Sequence, residues 1–113
     1  MRKSQITFGI ELDGNNVPEK ITWDATEKPV KGPEETKAIL MSIWDEKEQN
    51  TLRMDLWTKE MSVDAMKQFC VNAIGGMGDT VLRSTNDTKM SEMIHNFCQD
   101  LVKHLEEDRK KNA

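Results

Sequence analysis

Apolar and polar residues alternate along the first part of the chain. The alternating apolar positions are Ile6, Phe8, Ile10 and Leu12 in a first run and Ile21, Trp23 and Ala25 in a second. A period of two is typical of a strand with one buried face. Between the two runs, residues 13–16 read Asp-Gly-Asn-Asn, which is typical of a turn. The pattern predicts strands at about residues 4–13 and 19–26.

Two further strands are predicted at about residues 36–45 and 50–58, after a polar segment at 27–35 that contains Pro and Gly. The first of these strands carries apolar residues at both its odd and its even positions. Such a strand usually lies in the middle of a sheet. Mostly short connections favour an antiparallel meander, with the 27–35 segment as a loop or an edge excursion.

The apolar period changes from two to 3.6 at Met61, which is typical of amphipathic helices. Helices are predicted at about residues 62–84 and 87–108, and each has one apolar stripe that has to be buried. The prediction is therefore one α+β domain over residues 1–113. It is a four-stranded antiparallel meander followed by two helices packed on one sheet face, a ββββαα two-layer sandwich.

Charge and the length of apolar runs exclude two classes of partner. The chain has 16 basic and 20 acidic residues and a net charge of -4. Nucleic-acid binding depends largely on basic side chains that neutralise phosphates, so we expect no nucleic-acid partner. A membrane span requires roughly 20 apolar residues in succession, and the sequence has no such run. The N-terminal residues also lack a secretory signal pattern, which predicts a cytoplasmic protein.

The sequence contains few motifs that could bind a phosphate or a metal ion or carry out catalysis. The Gly-Gly-Met-Gly cluster at residues 75–78 lies inside the first predicted helix, so it predicts a kink or a close helix–sheet contact and not a phosphate-binding loop. His95 and Cys98 lie on one helix and Cys70 on the other, but a structural zinc site requires four ligands. The carboxylates and histidines form no recognisable catalytic pattern. We therefore predict no metal, no cofactor and no catalytic residues, and hence no enzyme.

Five residues of the second strand pair are candidates for partner binding: Leu40, Trp44, Arg53, Asp55 and Trp57. They have the parity of the outer sheet face, where exposed aromatic residues are typical of protein–protein interfaces. The three apolar residues are the expected anchors, and Arg53 and Asp55 are the expected polar specificity contacts. Two other interpretations stay open: the 27–35 segment could fold over the indoles, or strand twist could turn Trp57 into the core.

Several segments carry a resemblance to a known family. They are residues 17–26, 37–45, 50–61, 89–90 and 97–105. The run Leu-Trp-Thr-Lys at 56–59 is among the most distinctive of them. Together these segments closely resemble the GldC family, small gliding-motility proteins of Bacteroidetes. The resemblance covers essentially the whole chain. It implies an accessory part in surface gliding, beside a membrane-anchored machinery, and it implies no catalytic residues.

The residues and the resemblance together predict a non-enzymatic adaptor that acts by protein–protein interaction. Its expected partners are other proteins of the gliding machinery or a second copy of the chain. Its expected location is the cytoplasm, with the inner face of the inner membrane as a possible site of action. The alternative is a small acidic secretion-type chaperone that holds an unfolded client segment. An enzymatic or ligand-binding role ranks third, and a closed polar pocket would favour it.

Overall fold

The computed structural model describes residues 1–111. They form two compact units, one over residues 1–62 and one that begins at Val63. The first unit contains the strands and the second the helices. The predicted single domain over residues 1–113 includes residues 112 and 113, which lie outside the described residues, and it stays a prediction.

The first unit consists of antiparallel strands in two sheets. The strands are β1 (Ile6–Leu12), β2 (Pro18–Ala25), β3 (Glu34–Thr36), β4 (Ala38–Asp45) and β5 (Asn50–Trp57). One sheet has the order β1-β2-β3, and the other pairs β4 with β5. In the first sheet Ile21 lies between Ile10 on β1 and Thr36 on β3, and its side chain is completely buried.

The prediction of one four-stranded meander is wrong, because the strands form a sheet of three and a sheet of two. The predicted strand at 36–45 is interrupted at Lys37: the residues before it pair with β2 and those after it pair with β5. At this corner the backbone N–H of Thr58 donates to the Lys37 carbonyl at 2.9 Å. A strand that changes sheets at a bend keeps the alternation of its side chains, so the sequence pattern does not reveal the change of partner.

The second unit is a hairpin of two antiparallel helices, α1 (Val63–Thr85) and α2 (Thr88–Lys111). Asn86 has a φ of 62°, the left-handed conformation that commonly ends a helix. Asp87 begins α2, because its carboxylate accepts the backbone N–H of Met90 at 2.9 Å and so caps the helix. Each helix is about 35 Å long at 1.5 Å per residue.

The two helices approach closely at the glycine cluster of α1. The Ser91 hydroxyl donates to the Gly78 carbonyl at 2.9 Å, and Nε2 of His95 lies 3.3 Å from the Gly75 carbonyl oxygen. A Cβ added at Gly78 would lie 2.7 Å from that same His95 nitrogen, and one at Gly75 would lie 3.5 Å from Sγ of Cys98. Glycine here therefore permits a contact between two helices, which differs from the kink or helix–sheet contact that the glycine cluster predicted.

The α+β class is confirmed, since antiparallel sheets and two helices both occur in the predicted order along the chain. The packing of the helices on one sheet face stays a prediction.

Replacing Gly78 by Ala tests the helix contact. The new methyl group has to displace the His95 ring, whose Nε2 also lies 3.1 Å from Oδ1 of Asp79. Gly78→Ala and a control substitution in the same helix both gain the helix propensity of Ala, so we expect Gly78→Ala to have a free energy of unfolding about 1–2 kcal/mol below that of the control, as overpacking lowers it. The matched control is Gly76→Ala. Nothing lies within 4 Å of its added Cβ, so the higher helix propensity of Ala should raise the free energy of unfolding by about 0.5–1 kcal/mol.

Urea unfolding followed by circular dichroism measures both variants. The close contact would be contradicted if Gly78→Ala were as stable as Gly76→Ala.

Candidate functional site

The five candidate residues share one face of the β4–β5 pair, which we call the ribbon. Leu40 lies opposite Asp55, and Arg53 lies opposite Ser42. Trp44 and Trp57 have the same parity in their strands, so their side chains leave the same face. We call this the outer face of the ribbon. Sequence parity alone places these residues on one face, and the register shows which of them are neighbours.

The two indoles lie at opposite ends of this face. Trp44 pairs with Thr51 at the turn end, and Trp57 pairs with Ala38 at the other end. The two positions are six residues apart along the ribbon, which corresponds to about 20 Å. Trp44 is 56% exposed and Trp57 is 54% exposed. The outer face therefore presents two separate aromatic anchors and not one aromatic cluster.

An ion pair occupies the middle of the outer face. Arg53 donates to both carboxylate oxygens of Asp55, from Nε at 3.1 Å and from Nη2 at 2.8 Å. Its Nη1 donates to the Ser42 hydroxyl at 2.6 Å across the ribbon. The hydrogen bond to Asp55, and then the charge of that carboxylate, raise the pKa of Arg53 above its usual value. The bidentate geometry fixes the guanidinium at a position along the ribbon between the two indoles.

The turn between β4 and β5 orients Trp44. The Asp45 carboxylate accepts the backbone N–H groups of Lys47 and Glu48 at 3.1 and 3.2 Å. Gln49 closes the turn with a φ of 55°. Nε1 of Trp44 then donates to the Glu46 carboxylate at 3.0 Å, so the polar edge of the indole is held although the residue is half exposed.

Trp57 lies beside a different turn. A cleft of about 240 Å³ separates it from the β1–β2 connection, and the lining residues are Asn16, Val17, Pro18, Asp55, Leu56 and Trp57. Lys59, two residues beyond Trp57, donates to Oδ2 of Asp13 at 2.7 Å. This ion pair links the end of β5 to the β1–β2 turn and so fixes the edge of the cleft.

The segment at 27–35 packs against a third tryptophan. Nζ of Lys28 lies 5.3 Å from the ring centroid of Trp23, in cation–π geometry. The same ammonium donates to Glu34 at 3.0 Å and to the Gly32 carbonyl. The Lys28 side chain is therefore almost completely buried against β2. Trp44 and Trp57 keep more than half of their surface exposed.

The reverse face of the ribbon is also apolar. Ile43 lies opposite Leu52, and Met54 follows on the same face. Each of these three residues is 52% exposed. The sequence does show that β4 is apolar at both its odd and its even positions, so both faces of the ribbon are apolar. A sequence pattern does not show which of the two faces is covered in the structure.

Residues 1–111 offer little other chemistry. No three His, Cys, Asp or Glu side chains lie close enough together to hold a metal ion in this part of the chain. Neither helix, as far as it is described, combines the length and apolar character of a membrane span. Cys70 and Cys98 are free thiols.

The comparisons with known proteins gave one match. A family model described as "Gliding motility-associated protein GldC-like" matches residues 18–107. No curated protein and no solved structure matches the chain. The matched range contains all five candidate residues of the outer face, and the resemblance to the GldC family is confirmed over residues 18–107.

The ion pair between Lys59 and Asp13, beside Trp57, predicts an unusually low pKa for Asp13. The hydrogen bond from Lys59, with those from the backbone N–H groups of Val17 and Asn15, lowers the pKa of Asp13 to about 2. At pH values above 3.8, the ordinary pKa of the group, the ionised Asp13 carboxylate therefore stabilises the fold. This contribution to stability is lost as the pH falls from 3.8 towards 2. We expect Lys59→Met to raise the pKa of Asp13 towards 3.8, measured by carboxyl-carbon NMR.

The matched control is Lys37→Met. This change removes an ion pair in which Nζ of Lys37 lies 2.8 Å from Oε2 of Glu60. It should leave the pKa of Asp13 unchanged. An Asp13 pKa that does not respond to Lys59→Met would contradict the link between β5 and the turn.

Proposed function

Because the chain belongs to the GldC-like family of gliding motility-associated proteins, we propose that it is a non-enzymatic accessory protein of the gliding machinery. It acts by binding another protein of that machinery through the outer face of the ribbon. The observation that carries this proposal is the pair of half-exposed indoles at the two ends of one ribbon face.

Burial of these rings supplies the binding energy. An indole side chain offers 150–250 Å² of surface, so about 100 Å² of each ring is still available, which corresponds to about 2.5 kcal/mol per ring. That value is in the range of interface hot spots. Two such anchors about 20 Å apart also fix the orientation of a partner along the ribbon.

The central residues select the partner. Arg53 and Asp55 already neutralise each other, so a partner does not need a compensating charge. It does need hydrogen-bonding groups for the donors and lone pairs that remain, because a buried ion pair without them is unfavourable. Leu40, opposite Asp55, adds apolar contact in the centre. The preferred partner surface therefore has two apolar sockets with a polar region between them.

The exposed residues on the reverse face favour a second candidate function. Ile43, Leu52 and Met54 make the ribbon apolar on both sides, which suits a chaperone that holds an extended client segment. The two functions differ in the faces they use. An adaptor needs the outer face, whereas a chaperone that wraps a client around the ribbon needs both.

We place the interaction in the cytoplasm, at the inner face of the inner membrane, where an accessory protein can meet a membrane-anchored machinery. The thiols of Cys70 and Cys98 are free, as in a reducing compartment. Fractionation of gliding cells tests this location.

The test of the adaptor function is capture from lysates of gliding cells with purified protein as bait. The double variant Trp44→Ser/Trp57→Ser should lose most of its capture of gliding-machinery proteins, because both anchors are removed. The matched control is Ile43→Ser/Leu52→Ser, which removes two residues of similar exposure from the reverse face of the same ribbon. We expect that control to capture the same proteins as the natural sequence.

Circular dichroism and urea unfolding show whether each variant is folded. Equal loss in both folded variants would favour the chaperone, and protease protection of an extended client segment would support it. Unfolding of the tryptophan variant alone would show that the indoles are core residues, and the outer face would then be abandoned as the site.

A further inference from the structure

The first sheet has one long edge without a neighbouring strand. β1 pairs only with β2, so its other side is an edge of the β1-β2-β3 sheet. The backbone N–H of Thr26 donates to the Gln5 carbonyl at 3.0 Å, which makes these two residues a hydrogen-bonded pair. Such pairs alternate with non-bonded pairs along antiparallel strands. The backbone groups of Ile6, Phe8 and Ile10 therefore point away from β2, towards the edge.

These outward backbone groups have no hydrogen-bond partner in the part of the chain that the structure describes. All seven residues of β1 are exposed. The helices cannot complete the edge, because the backbone groups of an α-helix are already hydrogen-bonded within the helix. Besides water, only another extended strand satisfies a row of N–H and C=O groups at the edge of a sheet.

The opposite edge of the same sheet is protected against pairing, whereas β1 is not. β3 has three residues, two of them the acidic Glu34 and Glu35, and Pro33 precedes it. Short strands, charges and proline are the usual means by which proteins prevent pairing at an edge. β1 has seven residues, no proline and one charged residue, Glu11. The contrast between the two edges of one sheet favours β1 as an edge that is used.

The two strands of the ribbon are less suited to pairing along their edges. β5 carries the charged residues Arg53 and Asp55. β4 has apolar residues along its length, but from Ala38 to Met41 it is buried or half-buried. Among the strands of the first unit, β1 therefore combines full exposure with the lowest protection.

We propose that the edge of β1 pairs with the same edge of a second copy of this chain, in antiparallel orientation about a two-fold axis at Phe8. In this register Phe8 lies opposite Phe8 of the second copy, and Ile6 lies opposite Ile10. Each of these three pairs exchanges two backbone hydrogen bonds, six in all. The product is a continuous six-stranded sheet. This inference uses the first sheet alone and does not rest on the proposed function of the ribbon.

The apolar side chains of β1 are complementary to themselves in this register. Ile6, Phe8 and Ile10 leave the same face of the strand, so the two copies form one continuous apolar row. Cross-strand pairs of aromatic and β-branched residues stabilise antiparallel sheets. A register shifted by two residues would keep only two of the three pairs between these positions. The apolar pattern therefore selects the axis at Phe8.

Charge favours the antiparallel orientation over the parallel one. Lys3 precedes β1 and Glu11 lies near its end, and neither belongs to an ion pair among residues 1–111. An ion pair between Arg2 and Glu27 holds the residues before β1 alongside the end of β2. In the antiparallel register Glu11 lies diagonally beside Lys3 of the second copy, within reach of a long side chain. A parallel register would instead place like charges opposite each other, which is destabilising.

Sedimentation velocity of the purified full chain tests the dimer, at concentrations from micromolar to millimolar. The natural sequence should reach twice the monomer mass of 13.0 kDa. Phe8→Pro removes two of the six intermolecular hydrogen bonds and no hydrogen bond between β1 and β2. We expect it to weaken the dimer by more than about tenfold. Ile6→Lys, which adds a charge to the same edge, is the second variant in case Phe8→Pro does not fold.

The matched control is Glu35→Pro, on the opposite edge of the same sheet. Ile21 directs its backbone groups away from β1 and bonds to Thr36, so the N–H of Glu35 points outwards. Glu35→Pro therefore also removes an outward N–H, and this variant should remain a dimer. Circular dichroism shows which variants are folded.

Oxidative cross-linking tests the register, in a chain with Cys70→Ala and Cys98→Ala. Phe8→Cys should form a disulfide-linked dimer, because the Cα atoms of an opposed pair are about 5.5 Å apart. The matched control is Ile6→Cys. Its two thiols would lie four residues apart along the strands, about 13 Å, which is too far for a disulfide. Ile6→Cys/Ile10→Cys should restore the cross-link.

Three results would overturn the proposal. A natural sequence that stays monomeric throughout would leave the edge to a strand of another protein. A dimer that folded Phe8→Pro and Ile6→Lys leave intact, or that Glu35→Pro dissociates, would be formed by another surface. A dimer that cross-links through Ile6→Cys and not through Phe8→Cys would have a different register.

Discussion

Apolar surface that remains exposed is the constraint on which the properties of this protein depend. Among residues 1–111, the buried hydrophobic residues are Ile21, Ala38, Val71 and Leu105. Many larger apolar residues, Trp44 and Phe97 among them, keep about half of their surface in water. Burial of apolar surface contributes about 25 cal/mol of stabilisation for each Å². A partner that covers these side chains is therefore bound with free energy that folding of the chain does not supply. The proposed function assigns a partner to such a surface on the ribbon.

The outer face of the ribbon combines apolar and polar chemistry. The outer face of the ribbon has aromatic ends and a neutralised ion pair in the middle, an arrangement that discriminates between partners by hydrogen bonding.

Local side-chain interactions prepare the outer face before any partner arrives. Glu46 holds the indole of Trp44, Asp55 and Ser42 hold Arg53, and Lys59 fixes the turn beside Trp57. Ordering these long side chains in advance reduces the entropy that association has to overcome. The helix pair is prepared in a similar way, since Gly78 allows Ser91 and His95 to close the contact between α1 and α2.

The sequence by itself determined the α+β class, because a period of two and a period of 3.6 are local properties of the chain. It also determined which residues of the ribbon share a face, since parity fixes the side on which Leu40 and Trp44 leave the strand. Strand pairing is not local. Only the tertiary structure decided that the chain changes sheets at Lys37, and that Gly75 and Gly78 contact a helix. The same holds for the exposure of Ile43 and Phe97, because an apolar pattern records which side chains can be buried and not what covers them.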